Sequence, residues 1–291
     1  MTSDYSPLSP LATQIGLACV IVQVAFTLLF DGRARILPEG PWTHLAAFTA
    51  HKVVTLPAMM ILAYCGVRDW FFLDTDQYHV ATAADRVFGL SNPGDVPLAY
   101  GIGAMLMWDI PISIMSPPMR DPFMLAHHVG MFLAAYTMSG GFCEGGNMIG
   151  YYYVPFYFGV IELSSIPLTY VNVFHPKVVH YHEWMRVEQS DERLASLQRF
   201  VAKMNEAARV SFAALFLALR GLYFPYVSFR LCLPDLITAY ENPPDGVPMW
   251  TGYFLATCIA LFSCLQAYWG VLVVRQVVKT IRSREIKIHE E

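Results

Sequence analysis

Charged side chains are scarce in this chain. Only 14% of its 291 residues are charged, whereas 55% are hydrophobic and the mean hydropathy is +0.41. Soluble domains carry about a quarter charged residues. With a net charge of −4 and few clustered bases, no face of the protein could neutralise a phosphate backbone. The composition therefore indicates a membrane protein and excludes nucleic acid as a partner.

The sequence also lacks several short motifs that mark other protein classes. It has no CxxC pair among its six cysteines and no Asn-x-Ser/Thr glycosylation acceptor. No Lys or Arg precedes the first apolar stretch, so we expect that stretch to stay as a helix rather than be cleaved as a signal peptide. We expect the cysteines to be core thiols, with a luminal Cys143–Cys232 disulfide as the alternative.

Long apolar stretches are the main positive feature. A helix needs about 20 apolar residues to cross the hydrocarbon core of a membrane, and about seven stretches qualify. They are Leu11–Phe30, His44–Cys65, Leu98–Met115, Phe123–Gly140, Ile149–Tyr170, Ala208–Leu231 and Trp250–Val274. We therefore predict an all-α fold, a polytopic bundle of transmembrane helices.

Charge in the connections orients this bundle. With the N-terminus outside, most basic residues fall in the inner connections and the C-terminal tail, and the outer connections contain only Arg68 and Arg86. By the positive-inside rule, the N-terminus is luminal or outside and the C-terminus is cytosolic. The predicted units are a short tail at 1–10, a first transmembrane helix and loop at 11–43, a transmembrane domain at 44–278 and a cytosolic basic tail at 279–291.

One inner connection, from 174 to 207, is too polar to span. Apolar residues recur in it every three or four positions from Leu194 to Met204. This period predicts an amphipathic helix at the membrane interface, with Ser190 as its N-cap. A solvated loop helix is the alternative.

Ionisable side chains from several predicted spans converge at one depth. Counting a rise of about 1.5 Å per residue puts them roughly 6–12 Å from the inner boundary. They are His51, Asp109, His127, His128 and Glu162. Arg220 lies nearer the middle of the membrane, and Asn205 lies at the inner mouth of its span. Such residues either line a functional cavity or join helices through hydrogen bonds.

The turn between the third and fourth predicted spans, from Ser116 to Pro122, is short and stiffened by proline. The two helices should be antiparallel neighbours, with Asp109 level with the histidine pair. A carboxylate that holds an imidazole fixes its tautomer and stabilises imidazolium, as a histidine base or nucleophile requires. Adjacent helical residues point about 100° apart. We therefore expect one histidine to face a cavity and the other to be held by a neighbour, either Glu162 or His51.

Two other functional classes fit less well. His175, His180, His182 and Glu183 cluster in the inner connection. The His-x-His pair in this cluster has no third ligand at a fixed spacing, so no metal site is predicted. A seven-helix receptor is disfavoured because the last span has no Lys for a retinal-type Schiff base.

Several motifs, in their order along the chain, resemble the TLC-domain family, which includes the ceramide synthases. They are Leu106-Met107-Trp108-Asp109, Ala126-His127-His128, Ile161-Glu162-Leu163-Ser164-Ser165, Asn205 followed by Phe212, Phe216 and Arg220, and Tyr268-Trp269. The resemblance covers most of the chain. It implies a protein of lipid metabolism and membrane-lipid homeostasis that binds long-chain acyl lipid.

In ceramide synthases the paired histidines look like the centre that transfers a fatty acyl group from acyl-CoA to an amine. The resemblance thus implies His127 and His128 as base or nucleophile, oriented by Asp109 or Glu162. The expected substrate contacts are His51, Arg220 and Asn205.

The resemblance further implies acyl-CoA as a co-substrate, membrane lipids or acyl donors as partners, and no tightly bound cofactor. It suggests a location in the endoplasmic reticulum, with the plasma membrane as the alternative. Assembly into a homo-oligomer is possible under this resemblance. Where the synthases carry an acidic pair, this chain has Pro155 and Phe158. The chain therefore looks closer to the short TLC-domain-containing proteins, and a non-catalytic lipid-binding regulator of phospholipid composition is the alternative function.

Overall fold

The computed structural model describes residues 8–31, 40–73, 80–89, 94–175, 177–187 and 191–290. All regular secondary structure in these ranges is helical. This confirms the all-α prediction. The predicted N-cap Ser190 lies outside the described residues.

The helices are numbered here in chain order. They are α1 (Ser9–Phe30), α2 (Pro41–His44), α3 (Ala46–Phe71), α4 (Ala83–Phe88), α5 (Asp95–Met115), α6 (Pro122–Met138), α7 (Tyr151–Leu163), α8 (Ser165–Val173), α9 (Val179–Trp184), α10 (Glu192–Ala239) and α11 (Met249–Glu290). Short 3₁₀ turns at Pro117–Met119 and Glu144–Gly146 lie on either side of α6.

Several of the described helices are long and apolar enough to cross a membrane. There are five of them: α1, α3, α5, α10 and the Met249–Thr280 part of α11. α7 and α8 make a sixth if their 40° bend lies within one span. α6 has 17 residues, the short limit for a spanning helix. The protein is thus a multi-pass integral membrane protein, while the count of about seven spans and their orientation stay predictions.

Three stretches of these helices are π-helical, and each ends two residues before a proline. They are Met105–Asp109, Phe216–Tyr223 and Val227–Cys232, which precede Pro111, Pro225 and Pro234. A proline inside a helix has no N–H for the carbonyl four residues back, and its ring clashes with that carbonyl. The preceding turn widens in response. Asp109 and Arg220 both lie in such wide turns, which are frequent at functional sites.

α10 joins two elements that the sequence pattern separates. It runs unbroken through the polar connection and past Ala208, over Glu192–Ala239, rather than as an interfacial helix followed by a span. A helix in this connection is confirmed, but it continues into the sixth span, and its place at the membrane interface stays a prediction. No Pro or Gly occurs in α10 before Gly221, so nothing in the sequence interrupts the helix. Its N-cap is Asp191, whose carboxylate accepts a backbone N–H at 2.8 Å.

The fifth predicted span is bent rather than straight. α7 and α8 meet at a 40° bend next to Ser164. Gly159 has φ −134° and ψ −71°, outside the helical region, and Pro155 and Pro167 each remove a backbone donor. The bend turns the side chains that follow it toward α10.

Close helix contacts depend on small residues. α1 packs along α3 and α5, and α3 also contacts α7 and α8. A Cβ on Gly103 would lie 1.8 Å from the Ala12 carbonyl oxygen, so only glycine permits this approach of α5 to α1. A Cβ on Gly159 would similarly lie 2.5 Å from Gly66 Cα, between α7 and α3. Small residues are the usual means of close approach between transmembrane helices.

Polar contacts fix the helix ends on the predicted outer side. Arg86 of α4 donates to both carboxylate oxygens of Asp235 on α10, at 2.5 and 2.7 Å. The Tyr153 hydroxyl on α7 also donates to Asp235, and Tyr151 donates to Asp95 at the start of α5. α4, α5, α7 and α10 are thereby linked at one end of the bundle.

The six cysteines are free thiols. Cys143 and Cys232, the alternative disulfide pair, are therefore not bonded to each other, as expected for core thiols. Cys232 is 4% exposed and, with Cys258, lines the cavity described below.

Candidate functional site

Asp109 is the centre of a buried polar cluster. It ends the first π-helical stretch, on α5, and is 5% exposed. His51 Nε2 on α3 lies 2.7 Å from Asp109 Oδ1, and His128 Nδ1 on α6 lies 2.5 Å from Asp109 Oδ2. The second contact is an ion pair when His128 is protonated. One carboxylate thus joins three helices, and the predicted contact between Asp109 and the histidine pair is confirmed.

His51 is held on its other sides by neighbouring residues. Its ring stacks on Trp108 with 4.7 Å between centroids, and its Nδ1 lies 3.2 Å from the Thr55 hydroxyl. Trp108 in turn donates from Nε1 to Gln23 Oε1 of α1 at 3.0 Å. Gln23 Nε2 donates to the Ala47 carbonyl at 2.9 Å. α1 therefore helps to position the ring that holds Asp109.

The two adjacent histidines of α6 have different surroundings, although their ring centroids are only 5.7 Å apart. His128 turns to Asp109 through Nδ1, which leaves Nε2 as the nitrogen that the carboxylate does not contact. His127 lies edge-on to Phe262 and Trp269 of α11, at 5.4 and 5.5 Å between centroids. Its Nδ1 is buried without a hydrogen-bond partner among the described residues. One histidine is therefore held by a neighbour, and the other faces a cavity.

That cavity is apolar and borders His127. It is partly open and is lined by residues of α6, α7, α10 and α11. Its lining runs from His127 to Met138 along α6 and from Gln266 to Leu255 along α11. At about 1.5 Å per residue, each of these edges is roughly 16 Å long. The shape is an elongated apolar space with a histidine and an amide at one end.

Glu162 and Arg220 form a separate cluster at the bend between α7 and α8. Arg220 donates to the Ser164 hydroxyl at 2.8 Å, to the Ser165 hydroxyl at 3.0 Å and to the Ile161 carbonyl at 3.3 Å. Its guanidinium lies 3.6 Å from the Glu162 carboxylate. In the structure, His51 rather than Glu162 shares the carboxylate that holds His128. Glu162 pairs with Arg220 instead.

Asn205 is not brought into either cluster. It precedes Arg220 by 15 residues on the same helix, which is about 22 Å along the axis. Its Oδ1 is buried without a partner in the described part of the chain.

Sequence reasoning missed Lys52, which directly follows His51. Its ammonium lies 5.3 Å from the centroid of the Phe48 ring. Its charge acts on Asp109, His51 and His128. The sequence does contain a signal for this residue. A lysine inside an apolar span costs free energy and is therefore a candidate functional residue.

The arrangement has the parts of an acid–base site. A buried carboxylate that holds an imidazole stabilises the protonated ring, which is what a histidine base needs when it accepts a proton. Within the described ranges, no group of three or more His, Cys, Asp or Glu side chains could hold a metal ion.

Comparison with known protein families matches residues 42–275 to the model of the TLC domain. The chain belongs to the TLC-domain family. This confirms the resemblance found in the sequence motifs. No curated protein and no solved structure matches the chain significantly.

As a TLC-domain protein with several membrane-spanning helices, it is a multi-pass membrane protein of lipid metabolism. The histidine pair, Asp109 and the cavity lining all lie within the matched TLC domain. α1 lies ahead of the match, yet it supplies Gln23, which supports the stack of Trp108 on His51.

Proposed function

We propose that this TLC-domain protein holds a long-chain acyl lipid in its apolar cavity and transfers an acyl group from acyl-CoA at the histidine pair. One observation carries the proposal. The apolar cavity is lined by His127, the residue directly before the histidine whose imidazole Asp109 contacts. Hydrogen bonds that only join helices need no such space next to them, whereas lipid and small-molecule sites are mostly apolar cavities with a few polar groups.

His128 is the general base in this proposal. An amine or hydroxyl of the acceptor attacks the thioester carbonyl carbon of acyl-CoA and loses its proton to His128 Nε2. The carbon–sulfur bond breaks, and the coenzyme A thiolate takes that proton back from the imidazolium. The products are the acylated acceptor and free coenzyme A. Asp109 stabilises the transient imidazolium, and His51 holds Asp109 in place.

His127 is the histidine that touches the acyl group. It lines the cavity, and its Nδ1 has no partner among the described residues. A ligand carbonyl or acceptor group at this end of the cavity would supply the missing hydrogen bond. In this proposal His127 binds the reacting part of the lipid.

Glu162 and Arg220 have a positioning role in this scheme. The donors of Arg220 are occupied by Ser164, Ser165 and the Ile161 carbonyl. Ile161 also lines the cavity. The pair thus holds the bend of α7 and α8 that forms one cavity wall, and we assign the orienting carboxylate to Asp109.

The proposal is tested by comparative lipidomics of cells that express the wild type or the His127→Ala, His128→Ala double variant. Wild type is expected to change the abundance of one acylated lipid class, and the double variant is expected to leave it at the level of empty cells. His180→Ala, on the exposed face of α9, is the control and should behave as wild type. An equal lipid change with the double variant would contradict the proposal. Fractionation of the same cells checks the proposed location in the endoplasmic reticulum.

A second candidate function is a lipid-binding regulator without chemistry. Two observations favour it: Pro155 and Phe158 occupy the positions of the acidic pair in ceramide synthases, and the described residues offer the imidazole of His127 no carboxylate within hydrogen-bond distance. Under this alternative, purified protein retains lipid but releases no coenzyme A from acyl-CoA.

A further inference from the structure

Gln266 is a buried polar residue that faces the apolar cavity. Its side chain is 1% exposed, it lines the cavity, and its Oε1 has no hydrogen-bond partner among the residues that the structure describes. A buried acceptor without a partner costs free energy that a leucine in the same place would not. The amide therefore needs a partner that comes from outside the protein.

The position of Gln266 on α11 places it beside His127. Phe262, Gln266 and Trp269 are spaced by four and three residues, so they share one face of the helix. Phe262 and Trp269 are the two rings that contact His127, at 5.4 and 5.5 Å between centroids. Gln266 thus lies between them, and two buried polar atoms without partners, His127 Nδ1 and Gln266 Oε1, border the same end of the cavity.

Another glutamine of this protein shows how the fold satisfies a structural amide. Gln23 is 2% exposed and also lies in a membrane-spanning helix. Its Oε1 accepts from Trp108 Nε1 at 3.0 Å, and its Nε2 donates to the Ala47 carbonyl and the Thr27 hydroxyl at 2.9 and 3.2 Å. Gln266 has the same burial without such partners. Gln23 therefore joins helices through hydrogen bonds, whereas Gln266 is a candidate for binding a ligand.

We propose that Gln266 is a substrate-binding residue that accepts a hydrogen bond from an O–H or N–H group of the lipid in the cavity. This rests on the proposed lipid-binding function and narrows the ligand to lipids with a free hydroxyl or amine at the polar end. An amine can donate one hydrogen to Gln266 and another to His127. A hydroxyl can donate to Gln266 and accept from the His127 ring. The acceptor would be held against the histidine pair.

The test uses the full-length protein in detergent and two probes, a saturated long-chain alcohol and its methyl ether. Each probe competes with a fluorescent long-chain fatty acid for the cavity. Because the ether lacks the donor, wild type should bind the alcohol about tenfold more tightly, the effect of one net hydrogen bond. Gln266→Leu should bind both probes equally, with the affinity for the ether unchanged.

Gln198→Leu is the matched control. The Gln198 amide donates to the Trp184 and Val187 carbonyls at 2.7 and 2.8 Å, so the variant should lower the Tm while keeping the tenfold preference for the alcohol. Gln266→Leu should leave the Tm unchanged or raise it, because no protein hydrogen bond is lost.

Two results would overturn the assignment of Gln266: a wild type that binds alcohol and ether equally, or a Gln266→Leu variant that keeps the preference. Neither of these results would contradict the proposal that the cavity binds lipid. If wild type binds neither probe and no fatty acid, the proposed lipid-binding function fails together with the assignment.

Discussion

His128 Nδ1 on α6 lies 2.5 Å from Asp109 Oδ2 on α5, while the preceding ring, His127, borders an apolar cavity. Adjacent residues of a helix point about 100° apart. The sequence His-His therefore presents one imidazole to a carboxylate and one to an apolar cavity. This division underlies both the proposed chemistry and the predictions that follow.

Asp109→Asn should separate chemistry from binding. The amide keeps the shape of the side chain but cannot stabilise an imidazolium, so acyl transfer should fall by about 100-fold or more. Lipid binding in the cavity should not change, because Asp109 does not line it. Initial rates and the amount of co-purified lipid measure the two effects. Asp191→Asn is the control, since asparagine is an equally good N-cap, and a near-wild-type rate for Asp109→Asn would refute its role.

Pro111→Ala tests whether the wide turn of α5 orients the Asp109 side chain toward the histidines. Alanine restores a donor for the carbonyl four residues back, so the stretch Met105–Asp109 should tighten to an α-helix and rotate Asp109 away from the histidines. We expect at least a tenfold loss of transfer without a loss of thermal stability. Pro10→Ala, in the exposed first turn of α1 where proline removes no helical hydrogen bond, is the control and should keep transfer. Full activity of Pro111→Ala would show that the π-helical turn does not matter.

Ala134→Phe should fill the cavity from α6. Ala134 is 5% exposed and lines the cavity between His127 and Met138. The added ring occupies the space proposed for an acyl chain, so the lipid retained per protein should fall at least tenfold, as measured by mass spectrometry. Added bulk in a packed core costs about 1–3 kcal/mol, and the empty space here should reduce that cost. Ala214→Phe, on an exposed face of α10, is the control. Unchanged lipid retention in Ala134→Phe would place the lipid elsewhere.

The orientation predicted from charge is open to a direct check. Tags on the N- and C-termini should lie on opposite sides of the membrane, with the C-terminal tag cytosolic. Protease added to sealed microsomes should therefore remove the C-terminal tag and leave the N-terminal tag. A protected C-terminal tag would reverse the orientation of the bundle.

The sequence alone predicted which residues meet at one depth. Counting residues along each span placed Asp109, His51 and the histidine pair together, and the structure joins His51 and His128 through the Asp109 carboxylate. Depth depends only on the rise per residue and on the inner end of each span, and both can be read from a sequence.

The direction in which each side chain points could not be predicted in the same way. Glu162 was expected to hold a histidine, but it pairs with Arg220, and Asp109 contacts His128 instead. The chain bends beside Ser164, and the stretch around Arg220 is π-helical. Such local departures change the rotation of every residue that follows them. A sequence pattern read with a regular 3.6-residue period does not predict these bends and π-helical turns. Gln266 was missed for a related reason, since only packing shows that an amide inside an apolar span has no partner.

The most direct test of the proposed chemistry is acyl transfer by the purified protein. Wild type, the His127→Ala, His128→Ala double variant and His180→Ala are each incubated with isotope-labelled long-chain acyl-CoA and a membrane lipid extract. We expect wild type and His180→Ala to release coenzyme A and form one labelled lipid class in equal amounts, and the double variant to form none. If wild type transfers no label, or if the double variant transfers as much as wild type, the histidine pair is not a catalytic centre.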